Sequence, residues 1–536
     1  MLAAVVGSGL LVRVLPFAVP TPLVQIALGA LVAVFSDRGV RLEPDIFFLL
    51  FLPPLLFLDG WRIPKEGLLR DKGMILELAL GLVICTVVGM GFFIHWMIPA
   101  MPMPVAFALA AIVSPTDPVA VSAITERVPM PRRVLHVLEG ESLLNDASGL
   151  VCFRFAVAAA LTGTFSLPSA ALTFVQLVAG GVAIGVGLTM IIMLVKNAVN
   201  ARFGEETGSQ VLVSLLLPFA AYQAAEHTGC SGILAAVSAG IAMSYVELTG
   251  RALGATRMQR TAVWDTVQFT LNGVMFVLLG EQLPAILSGA VGVVQQSNHV
   301  NPWWLVGYVL AINLGLAVLR FAWVWVSLRL IALTARLRDE PLPAQAGLRL
   351  ITAMSVGGVR GAITLAGVLT LPLAQADGSA FPARDLAIFL AAGVIILSLV
   401  AANLFLPRLL RGLDMPAEPA RAQENDRARV AAAQAAIRAI ERELHALADN
   451  RDDADLYAQA ATRVMDLYRR RIEGRMQTGE SAALIRRTDT AERQIRLAGL
   501  RAEREEIFRL ARAQTLSDEI SRELVREVDL LEERLS

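Results

Sequence analysis

Thirteen apolar runs fill the first three quarters of the chain, and most are about as long as a membrane is thick. Crossing ~30 Å of hydrocarbon as an α-helix takes roughly 20 apolar residues. With Pro, Gly and charge clusters taken as boundaries, the predicted spans are 2–18, 22–36, 45–60, 73–98, 103–126, 134–161, 170–197, 209–227, 231–247, 264–287, 303–332, 349–372 and 385–412. Runs of this length satisfy their backbone hydrogen bonds inside a bilayer as helices, so the sequence predicts an all-α integral membrane protein.

The composition agrees with a membrane environment. Of the 536 residues, 55% are hydrophobic and 18% are charged, and the mean hydropathy is +0.60, which is unlike a soluble globular chain. The 47 basic and 47 acidic residues balance, so the net charge does not indicate a nucleic-acid partner. Cys85, Cys152 and Cys230 lie in apolar stretches without the spacing of a disulfide framework or zinc site, which predicts small buried hydrophobic residues.

The charged residues are concentrated at the C-terminal end of the chain. Residues 413–536 hold 22 arginines and 25 acidic residues, with opposite charges three or four apart and apolar residues at helical spacing. We therefore predict a transmembrane domain over 1–412 and a helical cytosolic domain over 413–536. Coiled-coil pairing and a solvated helical tail are both consistent with this pattern. A regulatory or interaction role, through self-association or a cytosolic partner, is the expected function.

The basic residues between spans predict the orientation. Short cytoplasmic loops are enriched in Lys and Arg, and alternate loops here differ clearly. The basic set contains Arg62, Lys65, Arg70, Lys72, Arg127, Arg132, Arg133, Lys196, Arg202, Arg251, Arg257, Arg260, Arg336 and Arg338, whereas the opposite set has mainly Arg38, Arg41 and Arg384. The sequence thus predicts a multi-pass protein of the plasma (inner) membrane with its N-terminus outside and its C-terminus in the cytoplasm.

The fifth span contains a helix-breaking motif at its centre. In FALAAIVSPTDPVAVSAIT, Pro115 and Pro118 bracket Thr116 and Asp117 and remove two backbone donors. Unwound backbone at membrane depth is tolerated where it lines a cavity, and in transporters it exposes polar groups to an ion. A structural kink with Asp117 capping a half-helix is the alternative, and capping and ion binding are compatible.

The sixth span begins with a polar cluster, LEGESLLNDASGLV. Ser142 and Asp146 are four residues apart and hence on one helix face, so they offer hydroxyl and carboxylate oxygens to a cation. Asn145 adds hydrogen-bonding groups without charge. Carboxylates near the bilayer centre are costly and mark ion pathways. Asp146 is therefore predicted to hold a proton and a cation alternately.

Three further charged residues require an explanation. Arg360 lies among glycines in AMSVGGVRGAITLAGVLTLP, which predicts a second interrupted helix, and Glu141 is its expected partner in a buried structural ion pair. Asp59, in PPLLFLDGW, is either an accessory carboxylate in an access funnel or a helix-end residue. Arg154, two turns after Asp146, has no evident partner and is a candidate for neutralising the carboxylate cluster.

The motifs SPTDPVAV, EGESLLNDASGLV, GGVRGAITLAG and PPLLFLDG together resemble the sodium/proton exchanger branch of the monovalent cation/proton antiporter superfamily. The resemblance covers about residues 1–412. It implies thirteen transmembrane helices in two inverted repeats, with the broken fifth and twelfth helices crossing in a mobile core beside a dimerisation domain. It also implies a homodimer that works by an elevator-like movement of the core.

The same resemblance implies roles for individual residues. Asp146 corresponds to the ion- and proton-binding carboxylate, Thr116, Ser142 and Asp117 to its neighbours, and Asn145 to the position associated with electroneutral exchange. Na⁺ would bind at Asp146, Thr116 and Ser142. Glu141 and Arg360 match a buried ion pair, and Asp59 an acidic position near the ion route.

The predicted function is secondary active sodium/proton antiport in pH and sodium homeostasis, with Na⁺ (or Li⁺ or K⁺) and H⁺ as transported ions and no cofactor. Potassium/proton antiport on the same scaffold is the alternative, because selectivity depends on fine cavity geometry. A cation channel is a less favoured alternative. A membrane enzyme is the weakest reading, since the chain lacks an HExxH or similar motif.

Overall fold

The computed structural model describes residues 1–14, 19–35, 44–63, 73, 76–117, 132–163, 167–248, 253–296, 303–337, 347–375, 378–411, 419–448, 454–476 and 480–535. The chain separates into two compact units, Met1–Leu413 and Asp414–Ser536. We describe each unit by itself.

The first unit is a bundle of helices whose positions follow the predicted spans. They are α1 (Leu2–Val14), α2 (Thr21–Phe35), α3 (Pro44–Arg62), a π-helical turn (Glu77–Leu82) that continues into α4 (Val83–Met97), α5 (Met103–Val113), α6 (Arg132–Thr162), α7 (Leu167–Phe203), α8 (Thr207–His227), α9 (Gly232–Glu247), α10 (Gly254–Gln296), α11 (Trp303–Leu337), α12 (Leu348–Val356), α13 (Ala362–Leu369) and α14 (Arg384–Leu410). Extended pairing in the described residues is limited to one isolated bridge between Ala374 and Ala380. The predicted all-α class is confirmed.

Several of these helices have the properties of membrane spans. Six described segments are long and apolar enough to cross a bilayer, namely Glu77–Met97, Leu172–Phe203, Thr207–His227, Gly254–Pro284, Trp303–Leu330 and Arg384–Leu410. Five shorter segments are also apolar: Leu2–Val14, Thr21–Phe35, Met103–Val113, Ser148–Thr162 and Gly232–Glu247. The three cysteines are free thiols and half-buried, so the prediction that they lie buried is only partly right.

The helices of this unit pack into two groups. The first group contains α1, α2, α3, α7, α8, α9 and α10, with close pairs α2/α10, α3/α9 and α7/α9. The second group contains the π-helical turn, α4, α5, α6 and α11–α14, with close pairs α4/α5 and α5/α6. The groups meet chiefly where α10 packs against α14, whereas α6 makes only light contact with α3 and α9.

Two helix crossings in the first group follow the same pattern. At the crossing of α2 and α10, a Cβ atom on Gly29 or on Gly280 would overlap a backbone carbonyl of the opposite helix. At the crossing of α9 and α3, Gly240 and Gly60 have the same relationship. Small residues at such positions let membrane helices approach backbone to backbone.

The second unit consists of four helices, α15 (Pro419–Ala448), α16 (Ala454–Met476), α17 (Glu480–Arg512) and α18 (Asp518–Leu535). Helix α15 packs against α16, and α17 against α18. Arg504 on α17 forms ion pairs with Asp529, at 2.9 Å, and Glu532 on α18. The tail is helical, as predicted, and its helices pair within the chain.

Candidate functional site

The non-helical segment after α5 meets the interruption of the twelfth span within the second group. Helix α5 ends at Val113, and the following residues as far as Asp117 are not helical. The twelfth span is divided into α12, which ends at Val356, and α13, which begins at Ala362. The backbone N–H of Asp117 donates to the carbonyl of Val359 at 2.7 Å. The helix of the fifth span therefore ends just before the predicted break, the interruption of the twelfth span lies where it was predicted, and the two non-helical segments contact each other directly. Pro118 and the rest of the fifth span lie outside the described residues.

A glycine allows this close approach. The Asp117 side chain lies against the Cα atom of Gly361, and a Cβ atom at that position would overlap the carboxylate. The φ angle of Gly361 is negative and open to any residue, so backbone conformation does not require glycine here. Glycine is required because there is no space for a Cβ atom. The carboxylate of Asp117 is consequently held at the N-terminal end of α13.

Asp146 lies beside the unwound segment of the fifth span. Only 4% of its surface is exposed, and Ser142 and Asn145 on the same helix are also buried. Ser142 Oγ donates to the carbonyl of Thr116 at 2.6 Å, and Asn145 Nδ2 donates to Thr116 Oγ1 at 3.1 Å. The structure therefore brings the predicted residues Thr116, Ser142, Asn145 and Asp146 together at the helix interruption.

The site combines negative charge with several oxygen atoms. Asp146 is within electrostatic range of the carboxyl groups of Asp117 and Asp59. Asn145 Oδ1 is buried and has no hydrogen-bond partner among the described residues. A hydroxyl such as that of Ser142 keeps its lone pairs when its hydrogen is donated. The cluster thus offers oxygen ligands of the kind that hard cations prefer, together with a carboxylate that can bind a proton instead.

Glu141 has a different partner from the one predicted. Arg320 on α11 forms a bidentate pair with it, with Nη1–Oε1 and Nη2–Oε2 distances of 2.5 and 2.7 Å. Both side chains are almost completely buried, with 3% of Arg320 and 1% of Glu141 exposed. Arg320 Nε also donates to the carbonyl of Met354 at 3.1 Å, near the end of α12. The pair therefore connects three helices of the second group.

Arg360 binds backbone carbonyls, so the predicted ion pair between Glu141 and Arg360 is wrong. Its Nε donates to the carbonyl of Val113 at 2.9 Å and its Nη1 to the carbonyl of Gly358. These carbonyls lie at the end of α5 and in the interruption of the twelfth span, where the helix ladder leaves acceptors unpaired. Arg360 thus supplies donors to the two breaks, and Arg320 neutralises Glu141.

Arg154 also has a partner that the sequence did not reveal. It lies 3.0 Å from Glu226 on α8, so it is paired with a residue of the first group. Glu226 also accepts a hydrogen bond from the backbone N–H of Gly232, at the start of α9. The suggestion that Arg154 neutralises the Asp146 cluster is replaced by this pairing.

Asp59 lies near the end of α3, beside the glycine crossing with α9. Trp61, two residues after Asp59, donates to Glu247 on α9 at 2.7 Å, and Glu247 pairs with the buried Arg260 of α10. Arg62 pairs with Asp265 on α10. The end of α3 is thus fixed to two helices of the first group. Sequence reasoning missed Glu247 and Arg260 as partners, because neither lies near α3 along the chain.

The residues of the first unit match a known family. The model of the sodium/hydrogen exchanger transmembrane domain matches residues 1–412. The chain belongs to the sodium/hydrogen exchanger family. This membership makes it a multi-pass membrane transporter that exchanges monovalent cations for protons, and not an enzyme. The resemblance predicted from the motifs is confirmed.

Relatives and a solved structure agree with this assignment. The chain is 40% identical over 532 residues to the uncharacterised Na⁺/H⁺ exchanger YjcE of Escherichia coli (strain K12), covering 98% of this chain and 96% of that protein. It is 43% identical over 411 residues to the sodium, potassium, lithium and rubidium/H⁺ antiporter of Bacillus pumilus (strain SAFR-032), covering 76% of this chain and 60% of that relative. The sodium proton antiporter MjNhaP1 of Methanocaldococcus jannaschii has a similar fold, with a TM-score of 0.58, 19% identity, and 77% and 97% of the two chains covered.

Proposed function

We propose that this antiporter exchanges Na⁺ for H⁺ at Asp146, which binds the two ions in competition. The observation that carries the proposal is the burial of Asp146 beside the interruption at which Thr116 accepts hydrogen bonds from Ser142 and Asn145. A cation bound there would be held by Asp146 and by oxygens of Thr116 and Ser142. Asp117, fixed against Gly361, adds negative charge to the same site.

Competition follows from the chemistry of one buried carboxyl group. A carboxylate held out of water is unstable as a bare anion and is stabilised either by a proton or by a metal ion. The two ions therefore exclude each other at Asp146. Asp146 is neutralised only while it holds one of the two ions. If the protein changes conformation only in that state, the proton flux and the cation flux are coupled.

Electroneutral exchange is the stoichiometry we propose. Asn145 occupies the position next to Asp146 and donates to Thr116, so this side chain adds no titratable group to the site. One carboxyl group then carries one proton in one direction and one monovalent cation in the other. The membrane potential would have no effect on the rate of such an exchange.

Alternating access is proposed to occur by movement of the second helix group relative to the first. The second group contains Asp146, both interruptions and the pair between Glu141 and Arg320, which connects α6, α11 and α12. These contacts support movement of the second group as one body. The light packing of α6 on α3 and α9 supports sliding of the second group along the first. Asp59, on the first group, would then lie on the route to one face of the membrane.

Potassium/proton exchange is the second candidate. The relative from Bacillus pumilus is named for sodium, potassium, lithium and rubidium, although this chain covers only 60% of it.

The proposed setting is a plasma membrane, with the N-terminus outside, the second unit in the cytoplasm, and a homodimer as the functional form. The proposed roles are pH and sodium homeostasis, with a regulatory or interaction role for the second unit.

Purified protein in liposomes tests these proposals. An internal pH dye would report proton flux after addition of Na⁺, Li⁺ or K⁺ at equal concentration, with choline as the control. Sodium exchange predicts a response to Na⁺, and a response to K⁺ alone would favour the second candidate. Clamping the membrane potential with valinomycin and K⁺ should leave the Na⁺ response unchanged, whereas a dependence on potential would exclude electroneutral exchange.

A further inference from the structure

The ion pair between Arg154 and Glu226 joins the two helix groups. Arg154 belongs to α6, which also carries Asp146, and Glu226 belongs to α8 in the first group. Four other described ion pairs of this unit lie within one group each. They are Arg62–Asp265, Arg260–Glu247, Arg320–Glu141 and Arg384–Asp385. The position of the Arg154–Glu226 pair is therefore different from that of these structural pairs.

This pair lies on the side of Asp146 away from Asp59. Arg154 follows Asp146 by eight residues, which corresponds to about 12 Å along the helix axis. In the proposed succession of thirteen crossings, α6 and α8 are two crossings apart and so end at the same face of the membrane. In the same succession α3 ends at the opposite face, where Asp59 lies. The ion pair thus connects the groups at what we call the Glu226 face.

The contact depends on long side chains more than on backbone packing. Helix α6 packs closely on α5 and the π-helical turn but only lightly on the first group. Glu226 is held by the backbone N–H of Gly232, so it is anchored to the turn between α8 and α9. Sliding of α6 along that turn would separate the two charged groups while leaving the packing within each group intact.

We propose that Arg154 and Glu226 form a latch that closes the Glu226 face and opens whenever that face opens to admit an ion. The inference rests on the proposed alternating-access mechanism. Loss of the latch would shift the resting protein toward the conformation open at the Glu226 face. A conformational shift of this kind raises apparent cation affinity at one face and lowers it at the other.

Cross-linking tests whether the contact must break. Arg154→Cys and Glu226→Cys would be introduced together into a chain without Cys85, Cys152 and Cys230, and joined with a short bifunctional methanethiosulfonate. The cross-linked protein should lose exchange and recover it after reduction. Arg62→Cys with Asp265→Cys, which joins α3 and α10 within one group, is the matched control and should stay active. Full exchange by the cross-linked test pair, or failure of its cysteines to cross-link, would overturn the proposal.

Charge variants measure how much the Arg154–Glu226 ion pair shifts the conformational equilibrium of the uncross-linked protein. Arg154→Gln and Glu226→Gln should have the same effect as each other. Each should lower the apparent KM for the cation at the Glu226 face and raise it at the opposite face, by roughly two- to fivefold, as expected for a partly exposed ion pair. The exchanged pair, Arg154→Glu with Glu226→Arg, should restore the wild-type values. Asp385→Asn, which changes a pair within α14, is the control. Equal shifts at both faces, or no restoration in the exchanged pair, would contradict the latch.

Flux measurements on the wild-type and cross-linked proteins distinguish failure of the proposed exchange from failure of the latch. Absence of cation-dependent proton flux in the wild-type protein would contradict the proposed function. Normal wild-type flux together with an active cross-linked protein would leave the proposed function intact and remove only the latch.

Discussion

The backbone N–H of Asp117 donates to the carbonyl of Val359 across 2.7 Å, and this hydrogen bond joins the two interrupted spans. Each interruption leaves backbone groups without helical partners in a region where water is scarce, and unpaired groups there are costly. The hydrogen bond between Asp117 and Val359 provides one such backbone group in each segment with a partner. Arg360 supplies further donors to the carbonyls at both breaks. The crossing is therefore a structural solution that also leaves Asp117 beside Asp146.

Gly361→Ala should greatly reduce exchange, because the added methyl group would overlap the Asp117 carboxylate and separate the two interruptions. We expect a loss of roughly tenfold or more in rate, since misplacing a reacting group by about 1 Å has effects of that order. Proton flux in liposomes is the measurement. Gly187→Ala, where a Cβ meets open space, is the control and should be near normal. Normal flux in Gly361→Ala would contradict the close approach.

Arg320→Ala should destabilise the protein strongly. Removing one partner of a buried pair leaves an uncompensated charge, at a cost of about 3–5 kcal/mol. Thermal unfolding in detergent would measure the loss, with Arg329→Ala on the same helix as the control. Adding Glu141→Gln removes the charge that Arg320→Ala leaves without a partner, so the double variant should regain part of the lost thermal stability. A stable Arg320→Ala protein would contradict the assignment of Glu141 to Arg320.

The ion pair also shows what the sequence did not reveal. The span positions, the end of the fifth-span helix at its proline motif and the interruption of the twelfth span were predictable, because apolar run length and proline or glycine clusters act locally. The partner of Glu141 is a matter of tertiary structure, and Arg360 was chosen because its glycine-rich motif stood out. A signal for Arg320 was present, since it is a charge near the middle of the apolar run of the eleventh span. The pairing of Arg154 with Glu226, 72 residues away, could not be deduced from spacing.

Ser142→Ala should weaken cation binding while preserving proton binding. The change removes one proposed oxygen ligand and the hydrogen bond to Thr116, but leaves the Asp146 carboxyl group. We expect the apparent KM for Na⁺ to rise by roughly tenfold, in line with the loss of about one charge-assisted contact. Ser244→Ala, which removes a buried serine on α9, is the control. An unchanged KM would remove Ser142 from the ligand set.

Competition at one carboxyl group predicts a specific pH dependence. Where the proton outcompetes the cation, the apparent KM for Na⁺ should rise about tenfold for each unit by which pH falls, because one proton must leave for each cation bound. At alkaline pH the KM should become constant. Initial rates in liposomes with equal pH on both sides would measure this. A maximal rate that falls with acid at constant KM would contradict direct competition.

Asp146→Asn removes the carboxyl group that we propose carries both ions. Cation-dependent proton flux in liposomes should fall to the level of protein-free vesicles, because the amide cannot exchange a proton for a cation. Folding would be checked by the thermal unfolding of the same sample, and Asp385→Asn would serve as the control for a lost carboxylate. Retention of substantial flux by folded Asp146→Asn would contradict the assignment of both ions to Asp146.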